Sequence, residues 1–260
     1  MNQPDSAHDL LALPRAAVLM LWTAAYLRGD VGPDDAAELS LGVGHHAVGG
    51  EGEDLFDWMT GLRRLPLAQL RLVLPRPGRI AGLVGPPSAL PAAIEAEQAV
   101  VATAAGIADH TLVPEIEPVA DRGRRGFEVS WSRFDAPLGK HVAPAAAGGA
   151  REELLRVLRR AADGSVDLDL VPEEPVETAR IPSTWTATVL PRHLDPGDAH
   201  LLVLSARTLL LTRSELEDES PHTIGLSEAL ARRELLDELH DQSGAALVEA
   251  VERIMAAEIS

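Results

Sequence analysis

Phe127-Glu128-Val129-Ser130-Trp131-Ser132-Arg133-Phe134 is the stretch whose reading decides the fold. Phe127, Val129 and Trp131 alternate with Glu128, Ser130 and Ser132, the period-two pattern of a strand with one buried face. Upstream, the polar turn Asp121 to Gly126 separates it from a second strand, Thr111 to Glu117. Ser88 to Ala105 predicts a helix, with Ser88 as its cap and Pro91 tolerated in the first turn. Before that helix, Leu70, Leu72 and Leu74 alternate with Arg71 and Val73. Pro77-Gly78 makes a turn, and Ile80 to Val84 predicts a return strand. Together these segments compose a β-β-α-β-β unit. The expected fold is α+β, a central antiparallel sheet of about four strands flanked by N- and C-terminal helices.

The flanks read as helical. Pro14 to Arg28 is apolar on nearly every face, so it belongs in an interior. Gly32-Pro33-Asp34-Asp35 starts a short helix with acids near its positive end. Gly42 to Gly52 is a glycine-rich loop, and Asp54 to Leu65 is amphipathic on Leu55, Trp58, Met59, Leu62 and Leu65. Pro137 to Gly149 is an Ala/Gly/Pro linker. Beyond it come an amphipathic helix from Arg151 to Ala162, a proline-bearing stretch from Val171 to Pro191, a helix opening at Asp195-Pro196, and a last pair broken near Gly244. This gives three segments: 1–66 helical, 67–136 sheet with helix, and 150–260 helical, with all three able to form one domain.

Charge excludes more than it assigns. The chain carries 40 acidic against 23 basic residues, a net charge of -17, and Lys140 is its one lysine. Such a surface repels nucleic-acid phosphates and anionic lipid headgroups, so neither nucleic acid nor membrane is expected as a partner. With no cysteine, thiolate nucleophiles, disulfides and Cys-ligated metals are excluded. The start lacks the basic-then-apolar order of a secretory signal, and Ala16 to Leu27 is too short to span a bilayer. The expectation is a soluble cytoplasmic protein.

Candidate chemistry is sparse. Gly42 to Asp54 contains His45, His46, Glu51, Glu53 and Asp54, donors suited to a metal such as zinc or ferrous iron. Yet adjacent histidines point apart in an extended chain, and no His-x-x-x-His or His-Glu-x-x-His spacing is present. The plainer reading is a loop whose acids cap the next helix. Gly82 to Ser88 suggests a phosphate loop, but Pro86 and Pro87 offer no N–H donors. Arg122, Arg124 and Arg125 could grip an anionic ligand through bidentate contacts, or simply charge a hairpin tip against strand addition. His110 and the other histidines are scattered without ligand spacing, and no nucleophile elbow is present.

Leu72-Val73-Leu74-Pro75-x-Pro77-Gly78, Gly82 to Pro87 and the helix bearing Glu95, Glu97 and Ala99 resemble a motif in a family of uncharacterised proteins of GC-rich bacteria. The resemblance covers about a tenth of the chain and implies no activity, cofactor or site. The functional expectation therefore rests on the residues. It is a non-catalytic adaptor, chaperone or regulatory protein acting through protein–protein contacts, with a protein partner or a homodimer. The leucine-rich helices, on Leu201, Leu204, Leu209, Leu239 and Leu247, are its candidate interface. The alternative is a small-ligand binder or metal-dependent enzyme centred on His45 and His46. No cofactor is specified by the sequence.

Overall fold

The computed structural model describes residues 10–43, 46–48, 52–65, 69–76, 82–104, 108–121, 124–136, 148–168, 181–217 and 226–256. They fall into two compact units. The first takes residues 1–145 together with 182–195 and 251–260, and the second takes 146–181 and 196–250.

The first unit holds both sheets. A two-stranded antiparallel sheet pairs β1 (Leu11–Pro14) with β7 (Trp185–Thr188). The main sheet has the order β2-β6-β5-β4-β3, built from β2 (His46–Val48), β3 (Gln69–Val73), β4 (Ala99–Thr103), β5 (His110–Asp121) and β6 (Arg124–Asp135). Its four strands β3 to β6 are antiparallel, and only the short β2 runs parallel, beside β6. Helices flank the sheet, and the fold is α+β.

Register assigns the two faces. Val73, Ala99, Val101 and Val113 share one face and pack with Ala93 and Ala96 of α4 (Ala89–Ala96). Leu70, Leu72, Val100, Ala102 and Leu112 occupy the other, where α1 (Arg15–Arg28) approaches β3, β4 and β5. Being covered from both sides explains why Ala99 to Ala102 are all buried and why β4 lacks alternation. Alpha1 also meets β1 and β7, which accounts for its nearly all-apolar surface. Gly29 closes it in the left-handed conformation at φ 90°, where a side chain would be strained.

The order along the chain is β-α-β-β-β, not the expected β-β-α-β-β. Leu83 and Val84 are irregular, while Ile80 and Ala81 lie outside the described residues. The helix expected to reach Ala105 stops at Ala96, because Glu97 adopts φ 57° and turns the chain back. Val100 and Val101, β-branched and flanked by alanines, then pair as a central strand. Ser88 precedes the helix but makes no capping bond.

The glycine-rich loop contains a strand. Beta2 lies along β6, and Glu53 N–H continues the contact to the Trp131 carbonyl at 2.7 Å. Gly52 permits this approach, since a Cβ there would sit 2.8 Å from the Trp131 nitrogen. At the other end Gly42 has φ +83°, and its Cβ would fall 2.1 Å from the Thr186 hydroxyl. Gly42 and Gly52 are explained by close approach. Alpha2 (Pro33–Ser40) and α3 (Leu55–Leu62) frame this strand in sequence, and Asp54 caps α3 by accepting from Asp57 N–H at 3.1 Å.

The second unit is helical: α5 (Ala150–Leu168), α6 (Pro196–Glu217) and α7 (Leu226–Ala256) up to Ala250. Alpha7 is one helix. The break expected at Gly244 does not occur, since an internal glycine weakens a helix by only about 1 kcal/mol and does not end it. Glu249 caps α5 at the Ala150 N–H, 2.8 Å. Arg160 pairs with Glu238 and Arg232 with Glu215.

Candidate functional site

Beta5 and β6 pair over twelve residues each, but among the described residues β4 pairs with β5 only from His110 to Leu112, and β2 with β6 only from Phe127 to Val129. From Val113 onward, the two long strands form an arm that carries the hairpin past the end of β4. Pro114 and Pro118 explain why β4 stops. The Asp109 carbonyl accepts from Ala136 N–H on the β6 side, so even-numbered residues of β5 direct their backbone groups toward β4, since N–H groups of alternate residues point to the same edge. Both prolines therefore delete a donor from the edge that β4 vacates. An edge so blunted resists strand addition.

The two faces differ. Pro114, Ile116, Pro118, Phe127 and Val129 share one by register, and Glu115, Glu117, Glu128, Ser130 and Ser132 share the other. On the polar face, Glu117 stands directly opposite Glu128, a like-charge placement that costs stability. Glu115 and Glu117 are exposed. The Ser132 hydroxyl donates to Glu115. By register Arg124, opposite Asp121 at the tip, shares this face.

The base of the arm is polar and buried. His110 is 1% exposed. Its Nε2 accepts from Trp58 Nε1–H of α3 at 2.9 Å, and its Nδ1 lies 3.2 Å from the Ala108 carbonyl. That carbonyl can only accept, so Nδ1 bears the proton and the ring is neutral. The rings meet edge-on at 82°. Burial pushes the His110 pKa below the ordinary histidine value, and Arg133 adds to this. The Ala108 bond, Asp135 and Glu53 oppose it. Arg133 links to Asp135 at 2.8 Å and Glu53 at 3.4 Å. With both ring nitrogens engaged, His110 serves as a structural joint and has no free nitrogen for a metal or a substrate.

A second buried group, Arg15, opens α1 at 1% exposure. It donates to the carbonyls of Leu41 at 3.0 Å and Ser183 at 3.4 Å, and its guanidinium lies 5.5 Å from the Phe127 ring. Burial lowers its pKa to about 10. Beside it, buried Gln98 accepts from Ala16 N–H at 2.8 Å and donates to the Thr184 carbonyl at 2.6 Å. This knot joins α1, β4 and the approach to β7.

The residues singled out from sequence are spread across the molecule. His46 lies in β2, paired with Phe127, while His45 and Glu51 lie outside the described residues. Among the described residues no three His, Asp or Glu side chains cluster as metal ligands. Arg124 and Arg125 end the arm, opposite Asp121 and Ala120, and Arg122 is outside the described residues. Leu201, Leu209, Leu239 and Leu247 are buried and Leu204 is half-buried. Sequence reading missed Trp58–His110, because a stripe residue and an isolated histidine meet only through the sheet. It also passed over Arg15, whose signal was a lone charge at the head of an apolar helix.

A family model described as the Rv1486c-like protein, N-terminal domain, matches residues 16–148, just over half of the 260-residue chain. The chain belongs to this family. No curated protein and no solved structure matches it. The matched span contains the main sheet, the arm and the Trp58–His110 joint. It does not contain β1, β7 or the end of α7, which the first unit recruits from both sides of the match. No helix among the described residues is long and apolar enough to cross a membrane.

Proposed function

We propose that this is a non-catalytic cytoplasmic adaptor or regulatory protein that binds a basic protein surface through the acidic face of the β5–β6 arm. The observation that carries this reading is the Glu117–Glu128 pair, set directly opposite each other, Glu117 exposed and Glu128 half-buried, on the strand face that also bears Glu115. Folding alone disfavours such a pair. A partner's arginine or lysine would relieve the repulsion, and the charge of -17 would steer basic partners toward the chain. The blunted edge supports recognition by side chains over pairing by backbone. Affinity capture of the tagged protein from its native lysate in mild salt, with mass spectrometry, tests the reading. A stoichiometric basic partner should be retained by the wild type and lost with Glu115→Gln/Glu117→Gln/Glu128→Gln. Retention of every partner by the triple variant refutes it.

A further inference from the structure

We infer that the Trp58–His110 contact is an acid-sensitive clasp that holds α3 on the sheet and releases it when His110 takes up a second proton. The inference stands on hydrogen-bond geometry and is independent of the arm's role. Nδ1 already donates to the Ala108 carbonyl, so Nε2 is the only position for another proton. That nitrogen is the acceptor of the Trp58 indole N–H at 2.9 Å. Once protonated, it would set two donors against each other in a site without water access, and one partner must leave.

The surroundings do not rescue the charged ring. Arg133 and Asp135 face it from β6, and Glu53 faces it from the segment before α3. Both carboxylates are engaged by Arg133, which leaves the trio only one net negative charge. Beta4 contributes Ala102 opposite His110. On α3, Asp57 N–H is bound by Asp54 at the helix start. Desolvation is the leading influence on His110 and acts against its charging.

Alpha3 is suited to be the moving part. It is eight residues long, too short to stay helical without tertiary contacts. Leu55, Trp58, Met59 and Leu62 are buried, whereas Phe56 is exposed. Its release would uncover a run of large apolar side chains, a surface of the kind partners use. The sign is fixed by linkage. The closed state binds its proton less readily than the open one, so acid favours opening. Closure weakens as pH falls below the ordinary histidine range and is restored on neutralisation.

Hydrogen exchange of the full chain, corrected for intrinsic exchange, tests this between about pH 7 and pH 5. Amides of residues 55–62 should open about tenfold more for each unit below about pH 6.5, while those of α1 and α4 hold steady. His110→Gln, which can accept from Trp58 but cannot titrate, should flatten that dependence. A pH-independent α3, or an unchanged slope in His110→Gln, overturns the clasp. Should the variant fail to fold, the wild-type His110 ring can be titrated by NMR. Protonation while α3 amides remain protected also overturns it, and protonation in step with their opening supports it.

Discussion

The two ends of β5 obey different rules although the chain passes from one to the other without a break. At its start, His110 to Leu112 lie between β4 and β6 and are buried on both faces. Past Pro114 the strand pairs, among the described residues, with β6 alone, and Glu115, Glu117, Pro118 and Ala120 are exposed. The first region is specified by exclusion of water, the second by turn chemistry, register and proline. Stability therefore resides at the base of the sheet, and freedom to vary, or to bind, resides in the arm.

The strongest way to break this contrast is to cut away what the base borrows. A fragment of residues 16–148 retains the main sheet but loses β1, β7, Arg15 and the Thr184 carbonyl that Gln98 holds. It should fail to unfold cooperatively, as judged by circular dichroism in denaturant. Paired substitutions sharpen the same point. Val101→Asp places an uncompensated charge in a fully buried site and should cost at least about 4 kcal/mol. Val119→Asp, half-buried in the arm opposite Gly126, should cost under about 1 kcal/mol. Equal losses in urea melts would dissolve the distinction.

Gln98→Ala probes the polar part of the base. It removes the acceptor of Ala16 N–H and the donor to Thr184 O at once, leaving buried backbone groups unpaired. About 2–4 kcal/mol should be lost. Glu97→Gly, one residue earlier, should have the opposite sign. Glu97 is exposed at φ 57°, and glycine relieves that strain for a gain of about 1 kcal/mol.

What was legible in the sequence follows the same division. Strands with one wet face announced themselves: Phe127 to Phe134 alternates because water touches one side of the arm. Beta4 did not, because burial on both faces erases the alternation, and Ala99-Val100-Val101-Ala102 reads as the continuation of a helix. Only the backbone turn at Glu97 distinguishes the two, and a glutamate there gives no signal that a glycine would have given. Gly42 and Gly52 were visible, but their cause, close approach to Thr186 and Trp131, is tertiary. Leu55, Trp58, Met59, Leu62 and Leu65 were read as the stripe of an amphipathic helix; the first four are buried, while Leu65 lies past the end of α3 and is half-buried. That Trp58 would find His110, at a separation of 52 residues, could not be read from spacing.

The smallest effect discriminates most finely, because it sets stability against binding at a single position. Glu117 and Glu128 face each other across the arm, so Glu117→Thr removes a repulsion and supplies a better strand former. It should stabilise by about 0.2–1 kcal/mol, more at low salt than at high, since exposed charges are screened. Thermal melts across a salt series can resolve this. If the carboxylates exist to meet a basic partner, the same substitution must weaken capture of that partner while the melt improves. A gain in both would mean that the pair is merely tolerated on a solvated face. A gain in one against a loss in the other would mean that the arm sacrifices stability for recognition, which the buried end of the same strand does not do.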